Sequence, residues 1–240
     1  MARRLNSSLR LNSYDKCLPF IFIDSKNNIY IVDQGNHRIM KWEPGAIQGK
    51  KVAGITGEPG VDLNKLKVPT AIAVDSKENM YIVHGSTSGI RIVKYSYLAT
   101  QGEEVVIPSG VKPLNITIDE NDDLYYIGNL NNQFHLYKYD TTSEITTKID
   151  MGYLNSYGFL AGSTIAYYKG YIYYVQNIYG HVARVKVEGG TPEQVWYGDL
   201  FTTNHVVYTY SLQVSSSYIY LPDRTDGRKR VIRKKFNLED

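Results

Sequence analysis

Three stretches decide the fold: IFIDSKNNIYIVD (21–33), IAVDSKENMYIVH (72–84) and ITIDENDDLYYIG (116–128). Each reads as a short strand, a tight polar turn and a second strand. β-Branched and aromatic residues fill the strands, and Asp, Asn, Ser, Lys and Glu fill the turns. IAYYKGYIYYVQ (165–176) and SLQVSSSYIYLPD (211–223) keep the rhythm in weaker form. The aligned tyrosines are Tyr30, Tyr81, Tyr125, Tyr173 and Tyr220, separated by 51, 44, 48 and 47 residues. Each lies within an apolar run, so the period belongs to a structural unit.

A third strand follows each pair after a loop: RIMKW (38–42), RIVKY (91–95), HLYKY (135–139), HVARV (181–185) and RVIRK (230–234). Its first residue is always Arg or His, and its fourth always Lys or Arg. A fourth strand reads as KKVAGI (50–55), EEVVI (103–107), EITTKI (144–149) and PEQVWYG (192–198). Four strands in about 45 residues is the pattern of a propeller blade. A ring of blades covers both faces of each small sheet, which separate hairpins could not do. The expectation is an all-β protein, a β-propeller of five four-stranded blades, with essentially no helix. A six-bladed ring and an open fragment are the alternatives. The chain has 240 residues, or 48 for each of five units, matching the observed spacing.

Only six residues follow 230–234, too few for a fourth strand. SSLRLNSY (7–14) alternates weakly and is expected to supply it, pairing near 230–235 and closing the ring. A plain tail is the competing reading. The organisation is therefore an N-terminal segment, 1–17, and a propeller, 18–240. The periodic tyrosines should occupy one equivalent place per blade. Their neighbours Ile29, Met80, Leu124, Ile172 and Ile219 should take the opposite strand face.

The net charge of +3 and a pI near 8.7 do not by themselves suggest nucleic acid. One cysteine, Cys17, allows no internal disulfide, and nothing calls for an oxidising compartment. The apolar run nearest the start, LPFIFI, is too short for a signal-peptide core and belongs to the first strand. No stretch approaches the roughly 20 apolar residues of a membrane helix. The compartment stays open, with the cytoplasm slightly favoured.

The stretch LPFIFIDSKNNIYIVDQGNHRIMKW (18–42) resembles an NHL repeat, with Asn36, His37 and Arg38 in the eponymous positions. KKVAGITGEPGVDLNKLKVP (50–69) resembles that family's link into the next blade. The second unit keeps the strands and replaces the Asn-His-Arg corner with a Gly/Ser/Thr loop. The third keeps Asp119, and the last two keep only the strand rhythm. The fourth, GYIYYVQNIYGHVARVKVEGG (170–190), also looks like a YWTD-type propeller unit. The resemblance implies a propeller, usually six-bladed. It also implies three functional classes: binding of protein, binding of RNA on a basic face, and metal-dependent lyase chemistry.

The loops between second and third strands are QGNH (34–37), HGSTSG (84–89), GNLNNQ (128–133), QNIYG (176–180) and DRTDGR (223–228). In a propeller they would open on one face at the channel mouth, where binding residues concentrate. The candidate ligand-binding residues are Asn36, His37, His84, Asn131, Asn132, Asn177, Tyr179, Arg224 and Arg228. Their amides, imidazoles and cations offer mixed donors and acceptors, suited to peptide backbone or sugar. Ordinary solvated turns are the alternative for any one of them.

Five histidines, at 37, 84, 135, 181 and 205, could in principle serve a metal. Ligation needs several of them at bonding distance. His135 and His181 fill the slot that Arg38 and Arg91 fill, which favours a structural cationic role. No hydrolase motif is present. The cations of the third strand are read as inter-blade or solvent ion pairs, with the Asp ending each first strand within reach. A stripe for phosphates is the rival reading. The 22 tyrosines are read mainly as blade packing. The run RTDGRKRVIRKK (224–235) suits a protected sheet edge or, less well, nucleic acid.

The reading is a non-enzymatic binding module, a repeat scaffold for a protein or peptide. No cofactor, metal or catalytic residue is assigned. The alternatives are an RNA-binding propeller and a metal-dependent lyase or hydrolase. Oligomeric state is left open.

Overall fold

The computed structural model describes residues 20–86, 89–150, 164–175, 181–196, 212–223 and 230–235. The chain divides into two compact units, Met1–Val105 and Val106–Asp240. The first holds two four-stranded sheets, each in the order of the chain. One comprises β1 (Ile21–Ile23), β2 (Ile29–Asp33), β3 (Arg38–Trp42) and β4 (Lys50–Gly54). The other comprises β5 (Ala71–Val74), β6 (Met80–His84), β7 (Arg91–Tyr95) and β8 (Glu103–Glu104).

The second unit holds three sheets. They are β9–β12 (Lys112–Ile118, Leu124–Leu130, Gln133–Asp140 and Ile145–Ile149), β13–β16 (Ile165–Tyr168, Tyr171–Val175, Val182–Lys186 and Glu193–Trp196) and β17–β19 (Gln213–Val214, Tyr218–Asp223 and Arg230–Lys235). All pairs are antiparallel meanders. Among the described residues the only helical turn is a short 3₁₀ segment, Gln34–Asn36. No helix among them is long and apolar enough to cross a membrane. The fifth sheet shows three strands, and the segment 7–14 expected as its fourth lies outside the described residues.

The tyrosine period is the sheet register. Tyr30 stands opposite Lys41, Tyr81 opposite Lys94, Tyr125 opposite Lys138, Tyr173 opposite Arg184 and Tyr220 opposite Arg233. The first four are essentially fully buried. In the second unit the faces are resolved. Tyr125 joins Ile172 and Tyr174 in one core, whereas Tyr173 joins Ile219 and Leu221 in another. Tyrosine thus points towards the next sheet and its Ile neighbour towards the previous one, as strand alternation requires.

The turn after each first strand explains its Asp. Asp24 Oδ1 accepts from the N–H groups of Lys26 (2.9 Å) and Asn28 (2.8 Å), and Oδ2 from Asn28 Nδ2 (2.7 Å) and Tyr30 Oη (3.3 Å). Asp75 accepts from Lys77 N–H, Asn79 N–H and Asn79 Nδ2. Asp119 accepts from Asn121 N–H, Asp123 N–H and Tyr125 Oη. In the weaker fifth unit Ser215 Oγ accepts from Tyr218 N–H at 3.2 Å. The fourth unit instead turns on Lys169 and Gly170, both at positive φ.

The third-strand cations, within whose reach the sequence placed these aspartates, pair elsewhere. The turn's own N–H groups are nearer and saturate the carboxylate. The cations find other acids: Lys41 pairs with Glu78, Lys94 with Glu103, Lys138 with Asp123 and Arg184 with Glu193. Lys41–Glu78 joins neighbouring sheets, an inter-blade ion pair of the kind the sequence predicts.

Two boundaries also differ. The fourth strand expected at 103–107 is confined to Glu103–Glu104, although Val105 N–H still donates to Ile92 O at 2.9 Å. The loop expected at 128–133 is strand: β10 and β11 pair out to Leu130 and Gln133. Only Asn131 (φ 52) and Asn132 (φ 64) turn. Both central residues at positive φ match the twist of the flanking strands, and Asn tolerates that conformation.

The aspartate turns should dominate local stability. Asp75→Ala leaves two backbone donors and one amide without their acceptor, and should cost about 2–3 kcal/mol in a urea titration. Asp75→Asn retains an Oδ1 acceptor and should cost less.

Candidate functional site

At the loop end of the first unit, the β2–β3 corner is built around the buried Asp33. Its Oδ1 accepts from Asn36 Nδ2 at 2.8 Å and its Oδ2 from Arg38 Nε at 2.7 Å. Arg38 Nη1 also donates to Thr56 Oγ1 at 3.2 Å. His37 is left-handed (φ 57, ψ 40), and its N–H donates to Gln34 O. Gly57 N–H donates to Asn36 O at 3.1 Å, tying the corner to the link that leads to β5.

Two histidines hold that link. Val68 N–H donates to His37 Nδ1 at 3.2 Å, and Lys67 N–H donates to His84 Nδ1 at 3.1 Å. Successive amides are thereby fixed from two sheets, and Gly85 N–H returns to Lys67 O at 2.7 Å. Val68 is left at φ 47, an outlier for a β-branched residue.

His84 is buried, at 1% exposure. Its pKa is pushed down from 6.5 to about 4, first by burial and then by the positive charge of Arg91. Arg91 Nε lies 3.3 Å from His84 Nε2. A neutral imidazole accepts at one nitrogen only, so the Lys67 and Arg91 contacts cannot both be hydrogen bonds in one tautomer. Arg91 is also held by Glu104 Oε2 at 3.3 Å and by the Val61 carbonyl.

In the second unit Asn131 and Asn132 form an exposed hairpin tip, where Asn132 N–H donates to Asn129 Oδ1 at 3.0 Å. Asn177, Tyr179, Arg224 and Arg228 lie outside the described residues. The structure therefore brings Asn36, His37 and His84 to one end of the first unit and leaves Asn131 and Asn132 at a tip of the second. It adds Asp33, Arg38, Lys67 and Val68, which sequence reasoning did not select. For Asp33 and Arg38 the signal was available, since acid and cation flank the corner.

Among the described residues, no group of three or more His, Cys, Asp or Glu side chains could hold a metal ion. His135 stands edge-on to Tyr137, with ring centroids 6.2 Å apart. Its pKa is lowered by burial and then by Lys148. Six of the third-strand cations, Arg38, Lys41, Arg91, Lys94, Lys138 and Arg184, are paired with carboxylates. On β19, Arg233, Lys234 and Lys235 are exposed, with Arg233 4.9 Å above the ring of Tyr218.

Five successive antiparallel meanders, each with a tyrosine at the equivalent place and four of these tyrosines buried, are the blades of a β-propeller. Solved β-propeller structures are similar to this chain. A chain of the nidogen/laminin complex matches with a TM-score of 0.67 at 13% identity, covering 90% of this chain and 75% of that one. Virginiamycin B lyase from Staphylococcus aureus matches with a TM-score of 0.56 at 14% identity, covering 85% of this chain and 62% of the lyase. A streptogramin B lyase matches with a TM-score of 0.56 at 15% identity, covering 90% and 68%. At these identities the likeness is one of fold. No protein-family model and no curated protein matches the sequence.

The buried histidine makes a pH prediction. Between pH 6.5 and about 4 the unfolded chain takes up a proton at this position that the folded chain does not. Stability should therefore fall as pH drops through that window, and level off below it. His84→Gln should remove this component. Urea midpoints measured from pH 8 to 4 on both proteins (a window of about four units around the shift) should converge as pH falls.

Proposed function

We propose that this chain is a non-enzymatic binding module of NHL-like type that holds a protein or peptide through the loops between second and third strands. The observation that carries the reading is the anchored corner Asn36–His37–Arg38. Internal bonds from Asp33, Gln34 and Val68 fix its backbone and one side of each side chain. Nε2 is the remaining polar atom of the His37 ring, which is half-buried. A polar surface held in one geometry binds with little ordering cost. The resemblance of 18–42 to an NHL repeat supports the same reading. So does the likeness to a propeller chain in a protein–protein complex.

Asn131 and Asn132 supply a second exposed polar tip in the other unit. Asn177, Tyr179, Arg224 and Arg228 belong to the corresponding loops in sequence and are proposed on that ground. The role of His84 is indirect: it holds Lys67 and keeps the link in place.

A peptide array probed with the intact chain tests this. His37→Asn and Asn132→Gly both accept the left-handed backbone, so the fold should survive while peptide capture falls at least about tenfold, a loss of about 1.4 kcal/mol. Unchanged capture would sink the reading. Capture of RNA instead, with steep salt dependence and loss on neutralising Arg233, Lys234 and Lys235, would move the function to the basic strand. Turnover requiring added metal would favour the lyase or hydrolase class.

A further inference from the structure

The link between β4 and β5 ends on two consecutive backbone amides, and a histidine holds each of them. Val68 N–H donates to Nδ1 of His37, at the β2–β3 corner, and Lys67 N–H donates to Nδ1 of His84, at the end of β6. A neutral imidazole that accepts at Nδ1 carries its proton on Nε2. A second proton must therefore take the lone pair that the amide occupies. Neither ring can become charged and keep its bond.

The held segment is strained. Val68 stands at φ 47, unfavourable for a β-branched residue, and Pro69 follows it, which steers the preceding residue towards extended conformations. The bonds on either side do not titrate: Gly85 N–H donates to Lys67 O at 2.7 Å, and Thr70 N–H to Val83 O at 2.9 Å. Movement is thus confined to Val68 and Pro69. The charged groups around the two rings are Arg91 of β7 beside His84, answered by Glu104 of β8, the Asp33–Arg38 pair at the corner of His37, and Lys67 on the link. At the other end of β6, the bonds from Lys26 and Lys41 lower the pKa of Glu78, so that tie between the two sheets stays closed in mild acid.

We propose that His37 and His84 form a proton-operated latch: acidification breaks both bonds, and Val68 leaves the left-handed conformation for an extended one. A released imidazole takes up a proton near the ordinary histidine value of about 6.5. The released form binds more protons than the latched form, so it gains about tenfold at each ring for every pH unit below that value. While latched, burial and the charge of Arg91 keep His84 neutral down to about pH 4. The gain on its side therefore continues to that point. The latch borders the corner proposed to bind peptide, but its working does not depend on that reading.

The test is amide hydrogen exchange of the intact chain, followed by NMR from about pH 8 to about pH 4 and corrected for the intrinsic pH dependence of exchange. Protection at Lys67 and Val68 should fall at least about tenfold further than protection at Gly85, whose acceptor does not titrate. The Val68 Cα shift should move towards the extended range over the same interval. His84→Gln with His37→Asn replaces both titrating acceptors by amides, and Asn accepts the left-handed backbone at position 37. In that variant protection at Lys67 and Val68, whatever its level, should follow Gly85 at every pH. Protection at Lys67 and Val68 that falls only in step with Gly85 or not at all in the unaltered chain, or an equal extra loss in the variant, would each overturn the proposal. Should the double variant lose its far-UV circular dichroism signature, His84→Gln alone decides: a Lys67 amide that follows Gly85 supports the latch, and a continued extra loss overturns it.

Discussion

A buried phenol held at both ends is what the rest of this fold depends on. Tyr30 donates to Asp24, and Lys41 sits 5.5 Å above its ring. Tyr125 donates to Asp119, and Lys138 sits 5.9 Å above its ring. Burial raises the phenol pKa in both cases, and the adjacent carboxylate raises it further, so the group stays a neutral donor. A ring of this size contributes much of each blade's apolar contact, but its hydroxyl needs a partner once desolvated. The turn carboxylate is that partner. One aspartate therefore closes the hairpin and satisfies the core at the same time.

That economy explains why so much architecture was legible in the chain. Tyrosine, turn aspartate and third-strand cation lie close in sequence and recur, so local pattern and global packing agree. The misreadings fall where the deciding atoms are remote or non-periodic. Asp24, Asp75 and Asp119 looked to be within reach of the third-strand cations, because only side-chain charge is visible in a sequence. Backbone N–H groups two and four residues on won instead. GNLNNQ looked like a loop because of its Asn residues, but two of them are enough to turn a hairpin, and the strands absorbed the rest.

The candidate site was less legible. Asn36, His37 and His84 were found as residues, but their work was not. Both histidines turn Nδ1 towards the link between blades, and their acceptors meet Lys67 and Val68, separated by 17 and 31 residues. Nothing in a single sequence announces that pairing.

The fourth residue of each aspartate turn carries a consequence for how such a chain diversifies. Asn27, Glu78 and Asp122 all adopt positive φ there, a conformation glycine would take without strain. Glycine has no side chain to offer. At Glu78 the side chain reaches back to Lys26 and Lys41 of the neighbouring sheet, at 2.5 and 2.6 Å. Duplicated units share one frame, and their interiors tolerate little change. This outward turn residue is one place where a copy can acquire an address, a contact that tells it which neighbour to sit beside. A repeat array made of interchangeable parts thereby becomes an ordered series.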